Sequence, residues 1–244
     1  MHKNWRLRIA LGVLAALFVG CGGPQTPTPE ATTDPETATG TEATTEASPD
    51  QVAAAPTSPE EAIDFIVIPG ERVGPLMSDT SREALGELLG DATLTDGPVD
   101  VGEGFTEPGT VVNLGPEQQF TIIWEDESLS RPLIVQDFGS AWKTPEGLGV
   151  GSSLTDVKQA LGTFQLFGFG WDYEGTLVLE ESQLDEYHGN LFLRLRPTPE
   201  AAKQHEAAYQ SMLGDRVYDS DLPDLEVLNP SVYDMTVYPN PLPE

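Results

Sequence analysis

GFGWDYEGT, residues 168–176, is the stretch on which the reading of this chain turns. Gly168 and Gly170 flank Phe169; Trp171, Asp172, Tyr173 and Glu174 follow, then Gly175 and Thr176. A dinucleotide loop would place a third glycine at position 173, which is Tyr173, and would open a helix there rather than a strand. At an offset of 66 residues, GFGWDYEGTLV (168–178) falls on GEGFTEPGTVV (102–112). Gly102, Gly104 and Gly109 then match Gly168, Gly170 and Gly175, and Phe105 matches Trp171.

Upstream, PLMSDTSREALGELLG (75–90) aligns with GLGVGSSLTDVKQALG (147–162) at an offset of 72. Order, residue type and spacing recur together, which is the mark of an internal duplication. Each copy reads as a capped helix, with Thr80 and Glu83 in one and Ser153 and Asp156 in the other. Leu85, Leu88 and Leu89, and Val157, Ala160 and Leu161, supply the buried stripes. Gly90 and Gly162 suit the left-handed residue that ends a helix. FTIIWED (120–126) and LFLRLRP (191–197) alternate with period two, as half-buried antiparallel strands do. The expected fold is α+β: two tandem helix-plus-strand repeats, about 73–138 and 145–197, in one domain over 58–244. In this reading the two G-x-G-aromatic turns are equivalent scaffold, and Phe105 and Trp171 plug the core. A ligand role for Trp171, Asp172 and Tyr173 is the alternative, and it belongs to the second copy alone because Thr106 and Glu107 replace the polar pair in the first.

The pattern "G-x-x-x-x-S/T-x-x-x-L/V-x-x-x-L-G" followed by strands resembles the repeat shared by beta-lactamase inhibitory protein and the small outer-membrane-assembly lipoprotein. The longer pattern over about 66–180 resembles an uncharacterised family of bacterial lipoproteins. Neither resemblance brings catalytic residues to carry over.

The first residues set the expected location. HKNWRLR (2–8) carries Lys3, Arg6 and Arg8, and an apolar run follows from Ile9 to Gly20. That run is about a dozen residues, short of the roughly 20 that span a bilayer. A basic head, a short apolar core and small residues at its end make a signal peptide over 1–20. FVGC, ending at Cys21, resembles the bacterial lipobox, with Phe18 where Leu is usual. The resemblance implies an acylated Cys21 at the mature N-terminus, palmitate among its chains, and attachment to a membrane of the cell envelope. Gly22 and Gly23, with no aspartate beside the cysteine, point to the outer membrane where the host has two. Cys21 is the only cysteine, so the domain relies on core packing without disulfides.

From residue 22 to 57 Thr, Pro, Ala and Glu dominate and no aromatic occurs. Such a segment cannot bury enough apolar surface to offset its ordering entropy, so a disordered tether over 21–57 is expected. Its roughly 36 residues would span on the order of 30–35 Å. Ser58, Pro59 and Glu61 offer a capping box where the domain begins. Toward the end, TPEAAKQHEAAYQSMLG (198–214) reads as one helix with Ala202, Tyr209, Met212 and Leu213 inward, and VYDMTVYP (232–239) as a last strand with Tyr233, Met235 and Val237 inward.

The formal net charge is −28, from 12 Lys and Arg against 40 Asp and Glu. Such a field repels nucleic acid and anionic lipid and attracts cations. Asp219, Asp221 and Asp224 cluster, but the EF-hand glycine and closing glutamate are absent, so a solvated loop is expected and no metal site. No cofactor motif occurs. His188 and His205 sit in polar surroundings, and no G-x-S-x-G or H-E-x-x-H is present. These residues favour a non-catalytic binding or envelope-assembly module, with an envelope protein or glycan as partner. A passive surface lipoprotein, or a carbohydrate-binding or carbohydrate-hydrolysing protein using a carboxylate pair, is the alternative.

Overall fold

The computed structural model describes residues 63–240, and the chain divides into two units, Met1–Thr57 and Ser58–Glu244. The signal, Cys21, the tether and the cap at Ser58 lie outside the described residues.

The architecture is α+β. β1 (Val67–Ile68), β2 (Arg72–Val73) and β3 (Leu76–Met77) form a small antiparallel meander. α1 (Arg82–Leu89) leads into a long hairpin of β4 (Leu94–Gly102) and β5 (Phe105–Val112), then β6 (Phe120–Trp124) and β7 (Pro132–Gln136). α2 (Leu154–Leu161) is followed by β8 (Gln165–Phe167), β9 (Leu177–Val178) and β10 (Leu191–Arg196). Last come α3 (Pro199–Gln204), α4 (Glu206–Ser211), β11 (Val217–Asp219), α5 (Pro223–Leu228) and β12 (Ser231–Val237).

The central sheet runs β10-β12-β7-β6-β5-β4, and a second sheet runs β11-β8-β9. They meet where Thr176 bridges Arg194 and where Leu195 N donates to Gly175 O at 2.9 Å. Gly175 is obligatory at this junction: its φ is +64°, and any Cβ would collide with the Leu195 carbonyl. One face of the central sheet carries Phe120, Ile122, Trp124, Val135, Leu193, Met235 and Val237 into a single core with Leu85 of α1 and Leu154, Val157 and Leu161 of α2. Trp142 is fully buried among Phe65, Phe120 and Phe138, with T-shaped contacts at 5.0 Å to the first two, and its indole N–H donates to Gln118 O at 3.0 Å.

Local signals behave as capping physics requires. Ser153 accepts from Asp156 N while the Asp156 carboxylate accepts from Ser153 N, a complete capping box. Gly90 and Gly162 end their helices at φ +83° and +70°, a sign that favours glycine, but their ψ of 127° and −128° lies outside the left-handed helical conformation that the sequence suggested. Thr198 caps α3 with Pro199 next to it.

Several expectations need correction. Ser81, not Thr80, caps α1 by accepting from Ala84 N; Thr80 is buried and accepts from Met77 N instead. Leu88 is exposed, so Leu85 carries the burial of this short helix, with Leu89 partly packed. The single helix over 198–214 is broken at His205, whose φ of −116° and ψ of 47° separate α3 from α4. In β12 the register against β10 slips: Arg194 faces Asp234 but Leu195 faces Val232. Tyr233 is the extra residue of this bulge, so Val232 takes the core position and Tyr233 stacks beneath the Arg196 guanidinium at 3.7 Å. β6 is buried along its whole length, not half-buried, with Thr121 and Ile123 on the face away from the core buried as well.

The two G-x-G turns differ. Gly102–Phe105 is a tight hairpin end with Glu103 and Gly104 both at positive φ, the primed geometry that fits strand twist. Phe105 there is 65% exposed. In the second stretch Phe169, not Trp171, is the core aromatic: it is fully buried, stacks on Tyr209 and exchanges backbone hydrogen bonds with Met212 and Gly214. Trp171 is 61% exposed. Phe105 and Trp171 therefore do not plug the core. The loop after β8 is docked on the end of α4, whereas the β4–β5 tip has no such neighbour to bury an aromatic.

Candidate functional site, a trough on the open face of the sheet

Alternation sends every second strand residue to the face opposite the core. Ile123 of β6, Ile134 and Gln136 of β7, Phe192 and Arg194 of β10, and Asp234 and Thr236 of β12 all line one trough on that face. Its volume is about 840 Å³. Ile123 pairs with Ile134 and Phe192 with Thr236 across neighbouring strands, which sets the floor. Ile123 is only 2% exposed although it points away from the core, so the trough is deep there.

The second sheet and its loops add further lining. Phe167 of β8 stacks on Tyr173 with ring centroids 5.0 Å apart, and Leu177 and Val178 of β9 lie beside them. His188 Nδ1 lies 3.1 Å from Glu180 Oε1. Asp100 and Val101, just before the β4–β5 hairpin end, also line the trough. The strand leading into the first glycine-rich turn and the second glycine-rich stretch thus contribute to one concavity.

Charge is uneven around it. Asp100, Asp137, Glu180 and Asp234 line it against a single guanidinium, Arg194. Arg194 faces Asp234 on the adjacent strand, yet Nε and Oδ2 are 4.0 Å apart, and Nη2 donates instead to the Asp172 carbonyl at 3.2 Å. Burial pushes the Asp234 carboxyl above the usual carboxylate range; Arg194 offsets part of this and Asp137 adds to it. Burial likewise raises the Tyr238 hydroxyl.

Thr176 has a further peculiarity. It is 8% exposed, and its Oγ1 is buried without a hydrogen-bond partner. Its backbone is fully engaged, donating to Tyr173 O and accepting from Phe167 N, so the hydroxyl alone is orphaned.

Of the residues singled out in the sequence, Tyr173 lines the trough, Asp172 holds Arg194 through its carbonyl, and Trp171 faces solvent beside Gly214. Gly102, Gly104, Gly109, Gly168, Gly170 and Gly175 serve backbone geometry; at Gly109 a side chain would strike Val99 and the Ile122 carbonyl. Asp219 accepts from Gln165 and Asp224 from Ser211, and among the described residues no three His, Cys, Asp or Glu converge as a metal site would. His205 lies at the helix break and His188 in the trough. Sequence reasoning missed Ile123, Ile134, Arg194, Asp234 and Thr176. The consecutive apolar residues Ile122, Ile123 and Trp124 were the available signal, since a strand buried on both faces loses its alternation.

Chemically the trough offers an apolar floor, aromatic rings, carboxylates and one buried hydroxyl without a partner. Among the described residues no lining hydroxyl is hydrogen-bonded to His188 or to a lining carboxylate.

No protein-family model matches the chain. No curated protein matches it either. A solved structure is similar, the crystal structure of the uncharacterised protein yfeY from Escherichia coli, at 15% identity. That match covers 69% of this chain and 97% of that chain, with a TM-score of 0.40.

Proposed function

We propose that this chain is an exported, lipid-anchored binding protein of the bacterial cell envelope, whose ligand lies in the trough. The observation that carries the binding reading is the open sheet face itself, a concavity of about 840 Å³ with an apolar floor and a charged lining. Small-molecule sites of roughly 300–1,000 Å³ combine these features. The orphan Thr176 hydroxyl supports the same reading, because a buried polar group without a partner costs about 1–3 kcal/mol and an occupant can satisfy it. The anchor rests on the basic head, the short apolar run and Cys21, and the Thr- and Pro-rich segment after it would act as the tether.

We also infer that residues 73–138 and 145–197 descend from one duplicated helix-and-strand unit. Ser81 and Ser153 cap corresponding helices, Gly90 and Gly162 end them, and Gly109 and Gly175 both sit where a neighbouring strand leaves no room for a side chain. The turns then diverged as one copy acquired the dock for Phe169.

Methyl NMR of the mature chain (residues 21–244, with Cys21→Ser to omit the lipid) against a fragment library tests the binding reading. Ligands should shift Ile123, Ile134, Leu177 and Val178 together; hits that leave all four unmoved would overturn it. For the anchor, Cys21→Ser in the full precursor should abolish membrane attachment. Membrane recovery equal to wild type would refute the lipidation.

A further inference from the structure

We infer that the ligand of the trough is a small organic cation: an apolar, aromatic-compatible body with an ammonium group at one end and a hydrogen-bonding group at the other. This rests on the trough being the binding site. Charge complementarity is the first argument. Asp100, Asp137, Glu180 and Asp234 line the cavity with Arg194 as its one guanidinium; Arg194 is drawn aside by the Asp172 carbonyl, and only Glu180 has a further basic neighbour among the lining residues, His188 at 3.1 Å. The net charge of −28 reinforces this locally negative potential and would concentrate cations at the opening.

Placement of the polar groups is the second argument. Thr176, Arg194 and Asp234 form one row across three adjacent strands, through the Thr176–Arg194 bridge and the Arg194–Asp234 pair. Neighbouring strands lie ~4.8 Å apart, so the orphan hydroxyl and the Asp234 carboxylate are separated by roughly 10 Å. A ligand ammonium beside Asp234 offsets the burial that raises its carboxyl and the Asp137 charge that adds to it. Its far end then reaches Thr176 Oγ1, the buried polar atom that the protein leaves unpartnered. Arg194 stands in the row between the two ends, its guanidinium drawn toward the Asp172 carbonyl, and Phe192 and the Phe167–Tyr173 stack line the trough beside it, surfaces suited to a ring or a short alkyl chain.

Three matched probes test this: hydroxyphenyl-butylamine, the alcohol with hydroxyl in place of the amine, and the corresponding carboxylate. Binding to the mature chain is measured by calorimetry, with the Ile123 and Ile134 methyl signals reporting location. The amine should bind about tenfold or more tightly than the alcohol, and the carboxylate most weakly, as expected where one charge-assisted contact is added. Asp234→Asn should remove that preference and leave alcohol binding unchanged. Thr176→Val should weaken the hydroxyphenyl amine severalfold without affecting its phenyl analogue. Equal or tighter binding of the alcohol or the carboxylate at Ile123 and Ile134 would overturn the cation assignment while the trough remained a binding site. An amine affinity unchanged by Asp234→Asn, with shifts scattered over the surface, would show attraction to the acidic exterior only and overturn it as well. If no probe moves Ile123 or Ile134, the cation assignment fails with it.

Discussion

Trp124 donates its indole N–H to Thr110 Oγ1 at 2.8 Å, and both residues are buried in the central sheet. Thr110 in turn donates to Asp96 Oδ1 at 2.6 Å, and Arg82 Nε donates to the same oxygen at 2.8 Å. A buried aromatic of β6 is thereby tied through β5 and β4 to the first turn of α1. Thr110→Val keeps the shape and removes the acceptor, which leaves the indole N–H orphaned. The expected loss is about 1–3 kcal/mol in urea unfolding, with Thr110→Ser largely restoring it. A loss indistinguishable from zero would mean that water replaces the threonine.

The aromatic residues of the glycine-rich turns separate scaffold from surface. Phe169→Ala removes a fully buried ring and should cost about 3–5 kcal/mol. Trp171→Ala and Phe105→Ala truncate exposed rings and should stay within about 0.5 kcal/mol of wild type. Guanidinium unfolding of the three variants decides it: equal losses at Trp171 and Phe169 would contradict the packing described above.

Phe169 and Trp171 also show what could be read from sequence and what could not. Both flank Gly170 in the same nine-residue stretch, and nothing local says which ring turns inward. The choice is made by the end of α4, more than 40 residues away, which supplies the backbone partners of Phe169. The capping box of α2 was legible because its chemistry is local, Ser153 reaching only as far as Asp156, whereas at α1 the neighbouring Thr80 and Ser81 both offer a hydroxyl and only the fold selects Ser81. The bulge at Tyr233 was not, because it exists only in the register of β12 against β10. The trough lay hidden for a related reason. Period two marks Arg194 and Asp234 as the face away from the core, and alternation alone cannot distinguish open solvent from a concavity closed by β8 and β9.

Asp234 ties the site to pH. Its folded pKa is raised, chiefly by burial and with Asp137 contributing, so the folded state holds its proton more tightly than the unfolded chain does. Below the unfolded value both states are protonated and the group is neutral in effect; as pH rises above it, the charge must form in the trough and stability is lost. Asp234→Asn should therefore raise the melting temperature at pH 7, on the order of 1–3 °C, and leave it unchanged near pH 3. A lower melting temperature at pH 7 would show that the loose pairing with Arg194 outweighs the burial. A gain in stability would fit a carboxylate kept at a site for its ligand rather than for the fold.

Salt acts on the same charge excess over the whole molecule. Acids outnumber bases by 40 to 12, so most carboxylates have no basic partner and their mutual repulsion opposes the compact state. The ion pairs that do form are largely at the surface, such as Arg131–Glu125 with both side chains about half exposed. Exposed pairs contribute roughly 0–1 kcal/mol each, so screening them costs little. Raising NaCl from 0.1 to 1 M shortens the screening length from about 10 Å to about 3 Å, which removes most repulsion between carboxylates that are not direct neighbours. Pairs with a shielded partner, such as Arg196 with Glu174 and Arg82 with Asp96, lose less. The balance favours the folded state, and the melting temperature of the mature chain should rise by several degrees across that range. KCl should give the same rise as NaCl, because the effect is screening rather than site binding. A flat or falling melting temperature would show that the carboxylates are already far enough apart in the fold. A rise confined to calcium would instead return attention to Asp219, Asp221 and Asp224.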